Sequence, residues 1–120
     1  MVEGAHGLKR GEIWTVAGGA EYTGKPRPAI IVQSDKFDAT SSITICPLTG
    51  AFVPAAPARF TLAPSAKNGL RSVSHAMADK ISTLPKSKMG RLLGTLSSAE
   101  VALLNQTLTL FLGLADEASL

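Results

Sequence analysis

Cysteine is almost missing from this chain. Cys46 stands alone among 120 residues, so an internal disulfide is excluded. It lies in an apolar stretch and reads as a small buried hydrophobe. Histidine is nearly as rare: His6, His75 and Cys46 stand at unrelated spacings that give no metal site. Gly18-Gly19 lacks the lysine and serine or threonine that would follow in a nucleotide-binding loop, and no cofactor is expected. Although 45% of the residues are hydrophobic, no apolar run approaches the roughly 18 residues of a membrane span. That apolar surface must go into a core or a subunit contact, which favours a homodimer. The first nine residues lack the apolar centre of a signal peptide, so the chain reads as cytoplasmic.

Acidic residues are missing from one long stretch. From Arg59 to Arg91 seven bases face a single acid, Asp79; that segment is +6 within a chain of net +3, leaving the remainder at −3. A basic half on a small domain fits a polyanionic partner, nucleic acid or acidic peptide. A merely solvated basic face has the same composition.

What is present is a set of short strand signals and one helix. Residues 1–8 read as a loose tail and 9–120 as one domain with a single core. Strands are expected at Glu12–Val16, Ala29–Gln33, Ser42–Thr49, Arg59–Ala63, Ser72–Met77, Lys80–Leu84 and Met89–Leu96. Ala29–Gln33 is nearly continuous in apolar residues, as in a strand covered on both faces. Gly90 and Gly94 weaken the last strand. Asn68-Gly69 marks a turn, and the 17–25 and 51–58 segments are loops. Ser97 and Glu100 form a capping box that opens a helix, and Gly113 stops it. Val101, Leu104, Leu108, Phe111 and Leu112 make one apolar stripe; Leu103, Leu110 and Leu114 line a second. A helix apolar on two sides must be covered twice, by the sheet and by a partner subunit. The fold class is mainly β (α+β), a small barrel-like arrangement of short strands with a C-terminal helix.

One segment carries chemistry. In Gly24-Lys25-Pro26-Arg27-Pro28-Ala29-Ile30-Ile31-Val32-Gln33, two prolines restrict the backbone around an arginine that leads into a strand. A guanidinium held in place is suited to bidentate capture of phosphate. An ordinary solvated arginine after a turn is the alternative.

Five segments in order resemble the MazF/PemK (Kid) toxin family. They are Lys9-Arg10-Gly11-Glu12-Ile13-Trp14, the arginine–proline segment, Pro47-Leu48-Thr49, Asn68-Gly69-Leu70 with Ser74 and Met77-Ala78-Asp79-Lys80-Ile81, and Gly90–Leu96 with the helix. The matches span residues 9 to 114. The resemblance implies a small, SH3-like, partly open barrel of antiparallel strands of the CcdB/MazF type, and a homodimeric endoribonuclease toxin. Such a toxin cuts single-stranded RNA sequence-selectively and without metal, through attack by the 2′-hydroxyl, leaving 2′,3′-cyclic phosphate and 5′-hydroxyl ends. A cognate antitoxin with an acidic, disordered tail is implied as partner.

By the same resemblance Arg27 stabilises the phosphorane and Thr49 hydrogen-bonds the scissile phosphate; a strand-end threonine bonded to backbone is the alternative. Asp79 matches an aspartate that acts as a base in one branch, yet Met77 replaces the arginine found there. Asp79 is thus a base, or an anchor paired to Arg27 or Lys80. Glu21 roughly matches a position of acid or histidine in some members. Tyr22 is the better base-stacking candidate; Trp14 reads as core, and Phe52 is a third aromatic. Lys25, Arg71 and Lys80 are candidate backbone-phosphate contacts. His75 falls off the family pattern and reads as a partly exposed strand histidine. Two other readings share the fold. One is a CcdB-like topoisomerase poison, which would not require the arginine–proline segment; the other is an inactive interaction module.

Overall fold

The computed structural model describes residues 7–17, 25–54 and 58–115. Seven strands run β1 Glu12–Val16, β2 Arg27–Ile31, β3 Ser42–Thr49, β4 Arg59–Leu62, β5 Ser74–Met77, β6 Ser82–Pro85 and β7 Met89–Thr95, followed by one helix, α1, Ser98–Phe111. Every pairing is antiparallel, in the order β4-β5-β3-β2-β1-β7. The end strands β4 and β7 do not pair, so the sheet stays open. Among the described residues, no helix is long and apolar enough to cross a membrane.

β3 organises the sheet. Its first half pairs β6, from Ser42 opposite Pro85 to Ile45 opposite Ser82. Its end pairs β5, with Leu48 opposite Ala76 and Thr49 opposite His75. β5 and β6 therefore follow each other along β3, separated by a 3₁₀ turn at Ala78–Lys80. Side chains of β2 and β3 alternate between two apolar clusters. Ile30, Cys46 and Leu48 join the one under the helix, while Ala29, Ile31, Ile43 and Ile45 join the other. Burial on both faces is why Ala29–Ile31 carries no polar residue.

The expected capping box is formed. Ser97 Oγ accepts from Glu100 N at 3.2 Å, and Glu100 Oε1 accepts from Ser97 N at 2.8 Å. The second carboxylate oxygen of Glu100 accepts from Asn68 Nδ2 at 3.3 Å, tying the helix start to the turn before β5. Asn68 is fully buried; its Oδ1 accepts from the backbone N–H of Ser65 and Leu70, and its Nδ2 also donates to Ala63 O. Beside it Gly69 takes φ +70°, and a Cβ there would overlap the Leu93 carbonyl oxygen. Gly94 lies under the Lys67–Asn68 backbone in the same crossing, which explains the glycine inside β7. At the other side of the sheet, Arg10 ties three segments together. Its backbone N–H donates to Asp35 Oδ1 at 2.8 Å, Nε to Val32 O at 2.7 Å and Nη2 to Asn105 Oδ1 at 2.9 Å.

The helix departs from expectation at its far end. Leu104 and Leu108 are buried and Val101 packs against the same core. Phe111 and Leu112, read from periodicity as the same stripe, are exposed, because α1 runs on past β4 and the Ala78–Lys80 turn that it packs against. Leu103, Leu110 and Leu114, on the second stripe, are exposed as well. The chain leaves the helix at Gly113, φ +71°.

Candidate functional site

Strand pairing assembles the site from residues distant in sequence. Val16 lies opposite Arg27, and Ala29 opposite Pro47. The same β2–β3 register carried two residues on sets Arg27 level with Thr49. Thr49 in turn lies opposite His75, and His75 opposite Thr61. Four strands thus contribute one row across a single face, Arg27, Thr49, His75 and Thr61, since directly opposed residues point the same way.

A cavity of about 330 Å³ opens on this face, with Arg27, Pro28, Pro47, Thr49 and Met77 in its wall. Arg27 is exposed at the start of β2, where both flanking prolines are compatible with extended backbone. Thr49 Oγ1 accepts from Ala51 N at 3.1 Å, which orients the hydroxyl. The backbone bond of the alternative reading, a strand-end threonine bonded to backbone, is present. It uses the oxygen as acceptor, so the O–H remains a donor for a substrate oxygen.

A second hollow of about 130 Å³ adjoins the row, lined by Phe52, Val53, Arg59, Phe60, Thr61 and His75 among others. The Phe52 and His75 rings lie 5.4 Å apart at 52°, and Thr61 Oγ1 is 3.0 Å from His75 Nδ1. His75 is a half-buried strand histidine, as the sequence leads one to expect; its place opposite Thr49 follows only from the β3–β5 register. The one available signal was its place two residues before Met77 in the matched strand.

Asp79 stands apart from both hollows and forms a bidentate pair with Arg59, Nε to Oδ1 at 2.9 Å and Nη2 to Oδ2 at 3.1 Å. The anchor partner is therefore Arg59, and the expectation of Arg27 or Lys80 is corrected. Arg59 lies opposite Met77 on β4, close to the turn that carries Asp79. The Arg59 hydrogen bonds hold the Asp79 carboxyl below its ordinary value, against the opposing effect of burial. A carboxylate so occupied is a weakened base.

Lys25, Arg71 and Lys80 are exposed, and none lines either hollow. Glu21 and Tyr22 lie outside the described residues. Trp14 belongs to the second apolar cluster, with Nε1 donating to Glu12 Oε1 at 2.9 Å. Phe52 is exposed at the rim of the smaller hollow. Cys46 is fully buried; burial first, then the Asp79 charge, pushes its thiol to about 12, with a backbone hydrogen bond from Met77 opposing. It is a core residue with little thiolate at neutral pH.

Comparison with known proteins places this geometry. The chain is 40% identical over 108 residues to the "Probable endoribonuclease MazF" of Mycolicibacterium smegmatis, covering 90% of this chain and 99% of that protein. It is 32% identical over 117 residues to "Endoribonuclease MazF9" of Mycobacterium tuberculosis, covering 89% of this chain and 98% of that one. The fold superposes with TM-score 0.75 and 26% identity on an endoribonuclease in complex with its cognate antitoxin from a mycobacterial species, over 90% of this chain and 97% of the other. A MazE–MazF complex from Deinococcus radiodurans shares the fold at TM-score 0.68 and 21% identity, over 88% and 94% of the two chains. Residues 9–112 match the family described as "PemK-like, MazF-like toxin of type II toxin-antitoxin system", and the chain belongs to that family.

Proposed function

We propose that this chain is a toxin endoribonuclease that cleaves single-stranded RNA sequence-selectively, by attack of a 2′-hydroxyl on the adjacent phosphorus. The observation that carries this reading is the presence of Arg27 and Thr49 in the wall of one cavity, on neighbouring strands β2 and β3. Internal transesterification needs no external nucleophile. It needs a proton removed from the 2′-oxygen, charge stabilisation on the pentacoordinate phosphorus, and a proton for the departing 5′-oxygen. The Arg27 guanidinium supplies fixed positive charge and planar donors to the non-bridging oxygens. The Thr49 hydroxyl, oriented by Ala51 N–H, donates to the same phosphate. The products are a 2′,3′-cyclic phosphate and a 5′-hydroxyl.

The names of the sequence relatives speak for RNA cleavage and not for topoisomerase poisoning. By the same likeness, a cognate antitoxin with an acidic, disordered tail folds against the basic half of this protein. The protein acts as a homodimer, and the exposed leucines of α1 are consistent with a covered surface in the assembly.

The test is incubation with a long single-stranded RNA in EDTA, with mapping of both fragment ends. Discrete cuts with cyclic-phosphate ends, lost in Arg27→Ala without loss of fold, are expected. Full activity in R27A, or cuts only when divalent metal is restored, overturns the mechanism.

A further inference from the structure

The row of side chains has a member that the cleavage reading leaves without a role. We propose that His75 takes the proton from the attacking 2′-hydroxyl; this rests on the endoribonuclease reading above. His75 lies directly opposite Thr49, on the side away from Arg27. Neighbouring strands lie about 4.8 Å apart, so the imidazole and the guanidinium flank the phosphate-binding hydroxyl at about one strand spacing each. In-line displacement puts the incoming and leaving oxygens on opposite sides of phosphorus. A base on one flank and a cation on the other match that requirement.

The ring is held for the task. Thr61 Oγ1 engages Nδ1 at 3.0 Å, and Phe52 packs on the ring at 5.4 Å. In the tautomer whose Nδ1 donates to the Thr61 oxygen, the one this role requires, Nε2 is the lone-pair nitrogen left for substrate. Among the described residues, Arg59 also lines the hollow beside His75, and its charge is met by Asp79. The other neighbours, Thr49 on β3 and Thr61 on β4, are neutral. Among the described residues, Asp79 is the carboxylate on the turn that follows β5, and both its oxygens are engaged by Arg59.

In the step, the 2′-oxygen bonds to phosphorus while its proton passes to Nε2. The bond from phosphorus to the 5′-oxygen breaks, and that oxygen takes a proton from water. The imidazolium then returns its proton to solvent, and no oxidant or metal enters the balance.

The experiment uses the full chain and a short RNA containing one site that the wild type cuts. Single-turnover rates are measured from pH 5 to 9 for wild type, His75→Asn, His75→Ala and Thr61→Val, with thermal melts of each. H75N keeps a polar group where Nδ1 meets Thr61. The expected result is a loss of about 10²–10⁴-fold in kcat for H75N and H75A, from steady-state runs beside the single-turnover ones, with KM changed little, as for removal of a general base. The acid limb of the wild-type pH profile vanishes in both, and added imidazole restores part of the H75A rate. T61V, which keeps the imidazole, lowers kcat less and shifts the acid limb. H75N activity within threefold of wild type with the acid limb intact overturns the proposal. A raised KM with unchanged kcat and pH profile overturns it too, and makes His75 a stacking surface for a base. If folding of H75N fails, the T61V profile and imidazole rescue decide. A wild type that cuts no RNA overturns this inference together with the reading beneath it.

Discussion

Removing Asn68 is expected to destabilise the fold more than any surface change. The side chain is fully buried and makes four hydrogen bonds: two accepted from the Ser65 and Leu70 amides, two donated to Ala63 O and Glu100 Oε2. Asn68→Ala removes all four. A hydrogen bond contributes about 1 kcal/mol net, and a buried partner left unsatisfied costs about 1–3 kcal/mol. Four bonds would give about 4 kcal/mol. Ser65, Ala66 and Lys67 are exposed, so water reaches part of the turn and about 3 kcal/mol is the better expectation. At roughly 2.1 cal/mol/K per residue, unfolding entropy for a chain of this length makes that loss about 12 °C in Tm.

N68D sharpens the argument, because it keeps Oδ1 as acceptor while placing a carboxylate against Ala63 O and the Glu100 carboxylate. Burial and like charge raise the introduced carboxyl's pKa in the folded state only. The folded state then binds more protons, so N68D gains stability as pH falls through that raised value, down to the ordinary carboxylate pKa. Urea denaturation at pH 7 and pH 5 measures both effects. A loss under 1 kcal/mol in N68A, or an N68D variant no more stable at pH 5 relative to wild type, would refute the reasoning.

The Arg59–Asp79 pair carries the opposite sign. Asp79 is held below its ordinary value, so its contribution is present above the ordinary carboxylate pKa and is lost as pH falls through the depressed one. Asp79→Asn should remove that part of the acid sensitivity, read as a flatter Tm-against-pH curve below about pH 4. Cys46, with its thiol near 12, should resist a thiol reagent at pH 8 in the folded protein and label fully in urea; fast native labelling would contradict its burial. Leu110→Glu, at a residue 42% exposed on α1, should leave folding stability within about 0.5 kcal/mol and abolish the proposed homodimer in light scattering. A dimer that persists would move the interface off this helix face.

Elements whose signals are local were readable from the chain. β1 and β3 have the expected bounds because alternation and flanking turn residues define them, and the Ser97–Glu100 box fixes the helix start. β2 begins two residues earlier than its apolar run, since Arg27 pairs with Val16 despite its charge. The exposure of Phe111 and Leu112 was not readable: periodicity gives the face of a helix but not how far its support extends. Partners across strands were hidden for the same reason. Arg59 is twenty residues from Asp79, and nothing in the sequence says that β4 folds back beside the strand leading to it. Arg27 stands out by its two flanking prolines and Thr49 by a resemblance alone; that they share a wall is a fact of register.

Register also bears on how this arrangement would serve the proposed reaction. Arg27, Thr49, His75 and Thr61 all sit on strands, so their separations follow from inter-strand spacing and not from loop conformation. Positions of that kind change little when substrate binds, and the reorganisation cost at the transition state is correspondingly small. The supports lie elsewhere. The Arg10 cluster joins the end of β2 to the helix, and the Asn68–Glu100 contact joins the helix to the turn before β5. Neither uses the face that carries the row. A substitution in either support should therefore act on stability first, and on cleavage only as far as β2, β3 and β5 lose their common register. N68A assayed for cleavage well below its Tm separates the two: near wild-type kcat is expected, and a large loss in a folded variant would mean that the turn and the row are coupled.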